Sequence, residues 1–152
     1  LLVWDSGLAT GYLIDFGTAL GAHAGHGGPK PPCSGWTNDV DLKVLSLKLA
    51  TAGWYRPTCD PTQPFSSSVG RLAPDVNPDQ WKPYAPNLAF EEMNEDDARW
   101  MARRIAQVSR AQIAGAVSAG QYSRAEDAAY LTDVLEARRQ SIVEHYLKGD
   151  DG

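Results

Sequence analysis

All ten prolines of the chain fall before residue 87, and residues 87–152 contain none. Proline fixes φ, lacks an amide donor, and is excluded from helix interiors and central strands. The first part of the chain is therefore barred from long regular elements, and the last part is free to be helical. Charge divides in the same way. Residues 1–90 carry seven Asp against six Lys plus Arg, whereas residues 91–152 carry twelve acids against eight bases. With 152 residues, 43% of them hydrophobic, and a net charge of −5, the chain has enough apolar material for one core. The acidic balance argues against a nucleic-acid partner, which needs a basic face to displace counterions. No run reaches the ~18 apolar residues of a transmembrane segment.

We expect a single domain over residues 1–152, as one part of a longer protein, because the chain opens mid-strand on Leu1-Leu2-Val3-Trp4 without an initiator Met. Residues 1–21 read as a β-hairpin and a turn. Two apolar runs, Leu1-Leu2-Val3-Trp4 and Gly11-Tyr12-Leu13-Ile14, flank the turn signal Asp5-Ser6-Gly7. Residues 22–38 are a Gly/Pro-rich loop. Residues 39–53 form a helix capped by Asn38 or Asp39 and closed by Gly53. Leu42, Leu45 and Leu49 share one face and Val40, Val44 and Leu47 another, which predicts a buried central helix.

Residues 54–90 are irregular, and Trp54, Tyr55, Phe65, Trp81, Tyr84 and Phe90 are placed to dock them onto a core. The same aromatics suit a partner. Trp4, Trp54, Tyr55, Trp81 and Tyr84 are the candidate interaction residues, and the strand edge at residues 1–4 is the place for another segment to pair.

Residues 94–148 are helical. Asn94 caps a helix over 95–107 with Ala98, Met101, Ala102 and Ile105 inward. Ser109…Gln112 is a capping box whose helix ends before Gly120. Ser123…Glu126 is a second box, opening a long helix ended by Gly149, with Leu131, Val134, Leu135, Ile142 and Tyr146 inward. Acidic runs at Glu91-Glu92 and Glu95-Asp96-Asp97 belong to helix N-termini. Arg99, Arg103, Arg104, Arg110, Arg138 and Arg139 read as solvated or paired at i±4.

The motif that bears on chemistry is Tyr12-Leu13-Ile14-Asp15-Phe16-Gly17. An Asp-Phe-Gly behind an apolar run, a helix bounded by Asp39 and Gly53, and only helices after residue 94 together resemble the C-lobe of the protein-kinase-like fold. The chain is also similar to an uncharacterised bacterial family that shares this string through Thr18-Ala19-Leu20-Gly21-Ala22. That family also has a Pro-Asn-x-Ala-Phe segment, here Pro86-Asn87-Leu88-Ala89-Phe90. Its late Ala-Tyr-Leu-Thr-x-Val-Leu-x-x-Arg-Arg string is here Ala129 through Arg139.

The kinase-like resemblance implies Mg-ATP as cofactor and Asp15 as a Mg²⁺ ligand. Phosphoryl transfer also needs a Gly-rich loop, a phosphate-binding Lys, a catalytic Asp and a metal-binding Asn. The chain holds none of these in place, and no Ala-Pro-Glu follows the motif. Read without the resemblance, Asp15 caps a turn, with Phe16 in the core and Gly17 at positive φ.

Other polar groups carry weaker signals. His23 and His26, with Cys33 and Asp39 or Asp41 nearby, fall short as a metal site because Gly-rich loops hold ligands poorly. Cys33 and Cys59 bracket the 39–53 helix. A disulfide between them would close a loop of about 25 residues, worth ~3 kcal/mol, and would place the chain outside the cytosol, in a periplasm or secreted. Two reduced thiols are the alternative.

The expectation is a mainly α domain with a small N-terminal β-hairpin and long Pro/Gly-rich loops, similar to a kinase C-lobe. Its expected role is a non-catalytic structural or interaction module without a cofactor, whose partner is another protein or an upstream portion of its own chain. The alternative is the C-terminal part of a Mg-nucleotide phosphotransferase.

Overall fold

The computed structural model describes residues 2–3, 9–10, 40–56, 65–66, 69–83, 85 and 87–148. Among these the chain is mainly helical, with α1 (Leu42–Ala50), α2 (Leu88–Glu91), α3 (Glu95–Ala106), α4 (Arg110–Ala119) and α5 (Ala125–Leu147). Two short antiparallel strand pairs complete it. The first is β1 (Leu2–Val3) with β2 (Ala9–Thr10), Leu2 facing Thr10. The second is β3 (Phe65–Ser66) with β4 (Gly70–Arg71), Phe65 facing Arg71. The first strand falls within the expected 1–4 run, but its described partner is Ala9–Thr10. The 11–14 run expected there lies outside the described residues.

The spine is α5. Its 23 residues span about 34 Å at 1.5 Å per residue. Both α3 and α4 pack along it. Ala98 and the fully buried Ala102 bring α3 close, because a methyl is all that separates the two backbones there. Val117 of α4, Leu131 and Val134 of α5, and Val69 and Leu72 form the core cluster, flanked by Ile113, Tyr122, Ala128, Tyr130 and Leu135.

The helix starts follow local chemistry. Asn94 and Asp97 form a reciprocal capping box at α3, and Ser109 and Gln112 form the predicted one at α4. The box predicted from Ser123 and Glu126 does not form. The N-cap of α5 is Arg124, which makes no side-chain cap bond, and its guanidinium holds the Glu126 carboxylate at 2.6 Å. Met101, expected inward, is exposed, because Ala98 and Ala102 already fill the contact with α5.

The helix expected over 39–53 is shorter, and it is not buried. Asp41 caps it rather than Asn38 or Asp39, with Oδ1 accepting from the Lys43 and Val44 amides at 3.1 Å. None of the α1 side chains is buried, and Leu42, Leu45 and Leu49 face solvent. Apolar residues on two faces make a helix coverable, but covering it requires neighbours, and the described helix–helix packing is that of α3 and α4 on α5.

At its end the Gly53 amide donates to the Lys48 carbonyl at 2.7 Å and the Ala52 amide to the Leu49 carbonyl at 3.2 Å. These are the paired bonds of a Schellman turn, in which Ala52 occupies the left-handed position at φ +49 and Gly53 follows at φ +87. A Cβ is costly there. Ala52→Gly should stabilise the last turn of α1 by about 1 kcal/mol. Amide exchange of that turn should slow several-fold; an unchanged rate would rule out the left-handed alanine.

Candidate functional site

The proline-rich segment 69–83 does not float. Val69, Leu72 and Ala73 are buried, and α5 side chains hold the backbone that follows. The Tyr130 hydroxyl donates to the Leu72 carbonyl at 2.7 Å, Arg138 Nε to the Ala73 carbonyl at 2.6 Å, and Ser141 Oγ to the Val76 carbonyl at 3.0 Å. His145 Nε2 meets Asp79 Oδ1 at 3.0 Å. These contacts advance together along both chains.

The strap that these contacts hold carries Pro74 just after Ala73 and Pro78 inside the turn at Asn77. Burial pushes the Tyr130 phenol above its ordinary pKa and lowers that of Arg138. Three of the aromatic residues expected to anchor this part of the chain do not do so, and the side chains of Phe65 and Tyr84 lie outside the described residues. Trp54, Trp81 and Phe90 are exposed, and small aliphatic side chains with backbone carbonyls make the attachment instead.

Where the strap ends, a groove of about 420 Å³ opens between it, the α2–α3 junction and the last turns of α5. Each wall has a local cause. Asn77 turns the strap: its carbonyl accepts the Gln80 and Trp81 amides, and its Oδ1 accepts the Asp79 amide at 3.1 Å. That turn delivers Asp79 to His145 and Trp81 to Phe90. The Trp81 and Phe90 rings meet edge-to-face at 5.2 Å between centroids. Phe90 sits on α2, a single turn whose first bonds run to the Asn87 carbonyl. The capped start of α3 adds Glu95, bound to Arg99 at 2.7 Å, and Ala98. The end of α5 adds His145 and Tyr146, stacked edge-on at 4.6 Å, and burial raises the Tyr146 pKa.

The groove has a histidine–aspartate pair, and among the described residues no serine, threonine or cysteine lines it. Ser141, one turn before His145, donates its hydroxyl to the Val76 carbonyl. Acyl transfer needs a hydroxyl or thiol on the histidine, and the described contact of His145 is with Asp79. Trp81, Phe90 and Met93 are all exposed, so the groove is an open face in which these apolar side chains stand among Asp79, Asn94, Glu95 and His145.

Of the residues singled out from sequence, Trp54 and Trp81 are exposed and Tyr55 is half-buried. Trp4, Tyr84, Asp15, His23, His26, Cys33 and Cys59 lie outside the described residues, as does the whole Tyr12-to-Ala22 string. Among the described residues no three His, Cys, Asp or Glu side chains converge as a metal site requires. Likewise, no described helix is long and apolar enough to cross a membrane.

Sequence reasoning missed the Asp79–His145 pair, Met93 and the role of Arg138. Asp79 and His145 are 66 residues apart, and no spacing rule connects them. Arg110, expected to be solvated or paired at i±4, bonds across to Asp133 of α5. Arg104 lies over the Trp100 ring at 5.4 Å.

The fold and the groove define a helical chain with an open, aromatic-lined face and no assembled catalytic set among the described residues. No protein-family profile matches the chain, and neither a curated protein nor a solved structure is significantly similar to it.

Proposed function

We propose that the chain is a non-catalytic interaction module that works as one part of a larger protein or assembly, with the groove at the end of α5 as its protein-binding face. The observation that carries this reading is the exposure of Trp81, Phe90 and Met93 together around one concave surface. Aromatic residues and methionine are enriched where protein partners bury each other. Their rings here are held by structure: Trp81 by the Asn77 turn and its edge contact with Phe90, and Phe90 by the single turn of α2. A face held in place loses little conformational entropy on binding. Asp79, Glu95 and His145 supply the polar rim that sets orientation.

The test is site-specific photo-crosslinking in the native host. A photoreactive side chain at position 90 should give discrete protein adducts, and one at Ala114, exposed on α4, should not. Adding Trp81→Ala should reduce the position-90 adducts several-fold. Equal labelling at both positions, or none at position 90, would remove the groove as the contact.

A further inference from the structure

We propose that the solvent face of α1, with the turn that follows it, docks on an anionic bilayer surface. This face and its partner are both distinct from the groove and the protein it would bind. On a helix of 3.6 residues per turn, Leu42, Leu45 and Leu49 fall within about 60° of arc. All three are exposed, Leu42 at 73% and Leu49 at 74%. Val44 and Leu47, on the opposite side, are half-buried. Among the described residues the stripe is therefore the uncovered side of α1, and Val44 and Leu47 mark its more buried side. Lys43 and Lys48 leave the helix on either side of the stripe. After the Schellman turn comes Trp54, 88% exposed, and then the exposed Arg56.

Charge selects the partner. From Leu42 to Arg56 the sequence has three cations and no carboxylate, in a chain of net charge −5. The nearest acid, Asp41, is already neutralised by Lys82 at 2.8 Å, and that bond holds its pKa below the ordinary carboxylate value. The excess of acids lies in residues 91–152. An apolar stripe with a lysine on each flank suits a plane of negative charge over hydrocarbon. The leucines enter the acyl boundary while the lysine stems lie along it and raise their ammonium groups to the phosphates. Tryptophan favours the same depth. At nine residues, about 13 Å, α1 is far too short to span a bilayer and would lie in the surface plane. One short helix gives reversible binding, strengthened by each cation near an anionic leaflet.

The test uses the full chain and phosphatidylcholine vesicles with or without phosphatidylserine, read by co-sedimentation. The wild type should partition onto the phosphatidylserine vesicles at least about tenfold more strongly, and high salt should erase the difference. Lys43→Gln with Lys48→Gln should remove most or all of that preference. Leu42→Gln with Leu49→Gln should weaken binding to both vesicle types. These four side chains are exposed, so unchanged melting temperatures will show that the fold is intact. Equal partition onto both compositions, or a lysine variant that binds like the wild type, would overturn the proposal. So would absent vesicle binding combined with a leucine variant that instead dissolves a dimer or a protein complex, which would assign the stripe to a protein.

Discussion

Leu131→Ala should destabilise the chain by about 3 kcal/mol. Leu131 is 1% exposed and sits where the three parts of the core cluster meet: Val117 of α4, Val134 one turn along α5, and Val69 with Leu72 from the proline-rich segment. Truncating it removes the transfer energy of the lost methyl-bearing carbons and leaves a void that helices on two sides cannot both collapse into. In a domain whose whole stability is of order 5–15 kcal/mol this is a large fraction. The midpoint of thermal unfolding should fall by about 10 °C at this chain length.

Leu88→Ala is the control. Its side chain is 68% exposed on α2, and its loss should stay within about 0.5 kcal/mol. Similar losses for the two variants would mean that the cluster around Leu131 is not the core.

How much of this was legible in the sequence depends on the range of the interaction concerned. The start of α4 was readable because Ser109 and Gln112 carry their whole capping box within four residues. The start of α5 was misread on the same pattern. Ser123 and Glu126 have the right spacing, but Arg124 lies between them with a guanidinium that takes the glutamate. A local rule failed to a stronger local charge pair. The end of α1 was misplaced by one step, since the glycine that signals the turn is the second of two left-handed residues and not the first.

The burial of α1 was a misreading of another sort. Apolar residues at Val40, Leu42, Val44, Leu45, Leu47 and Leu49 state what a helix could bury, whereas burial is settled by what packs on it. The strap and the groove were the least legible. Their contacts join residues 58 to 66 positions apart, three of them through backbone carbonyls, which leave no trace in side-chain periodicity. Arg138 and Arg139 show the contrast within one dipeptide. Arg139 pairs with Glu136 on its own helix at 2.7 Å, as helical spacing suggests. Its neighbour turns inward to a carbonyl of a segment 65 residues away.

That inward arginine carries the second large prediction. Arg138→Met should cost about 2 kcal/mol, with the damage confined largely to the strap. The substitution keeps most of the aliphatic stem and removes the donor, so packing is nearly preserved while the Ala73 carbonyl loses its partner. Ala73 is itself buried, and a buried carbonyl left without a donor costs about 1–3 kcal/mol. An opposing effect must be weighed. Burial disfavours the guanidinium charge and lowers its pKa, so replacing it relieves a desolvation cost. Two features make the lost bond outweigh that relief. The bond to Ala73 is short, at 2.6 Å, and it is charge-assisted, a class worth about 1.5–3 kcal/mol. The field of Asp75, moreover, already compensates part of the buried charge.

The strap should then loosen from Ala73 to Asp79 and weaken the Asp79–His145 contact with it. Hydrogen exchange in α4 and α5 should change little, while amides of residues 73–81 should exchange at least about tenfold faster. Tyr130→Phe, which removes one neutral bond at the other end of the same strap, should cost about 1 kcal/mol. If Arg138→Met proves neutral or stabilising, the strap is held by its buried side chains and its other α5 contacts, and the groove wall it builds owes nothing to the arginine.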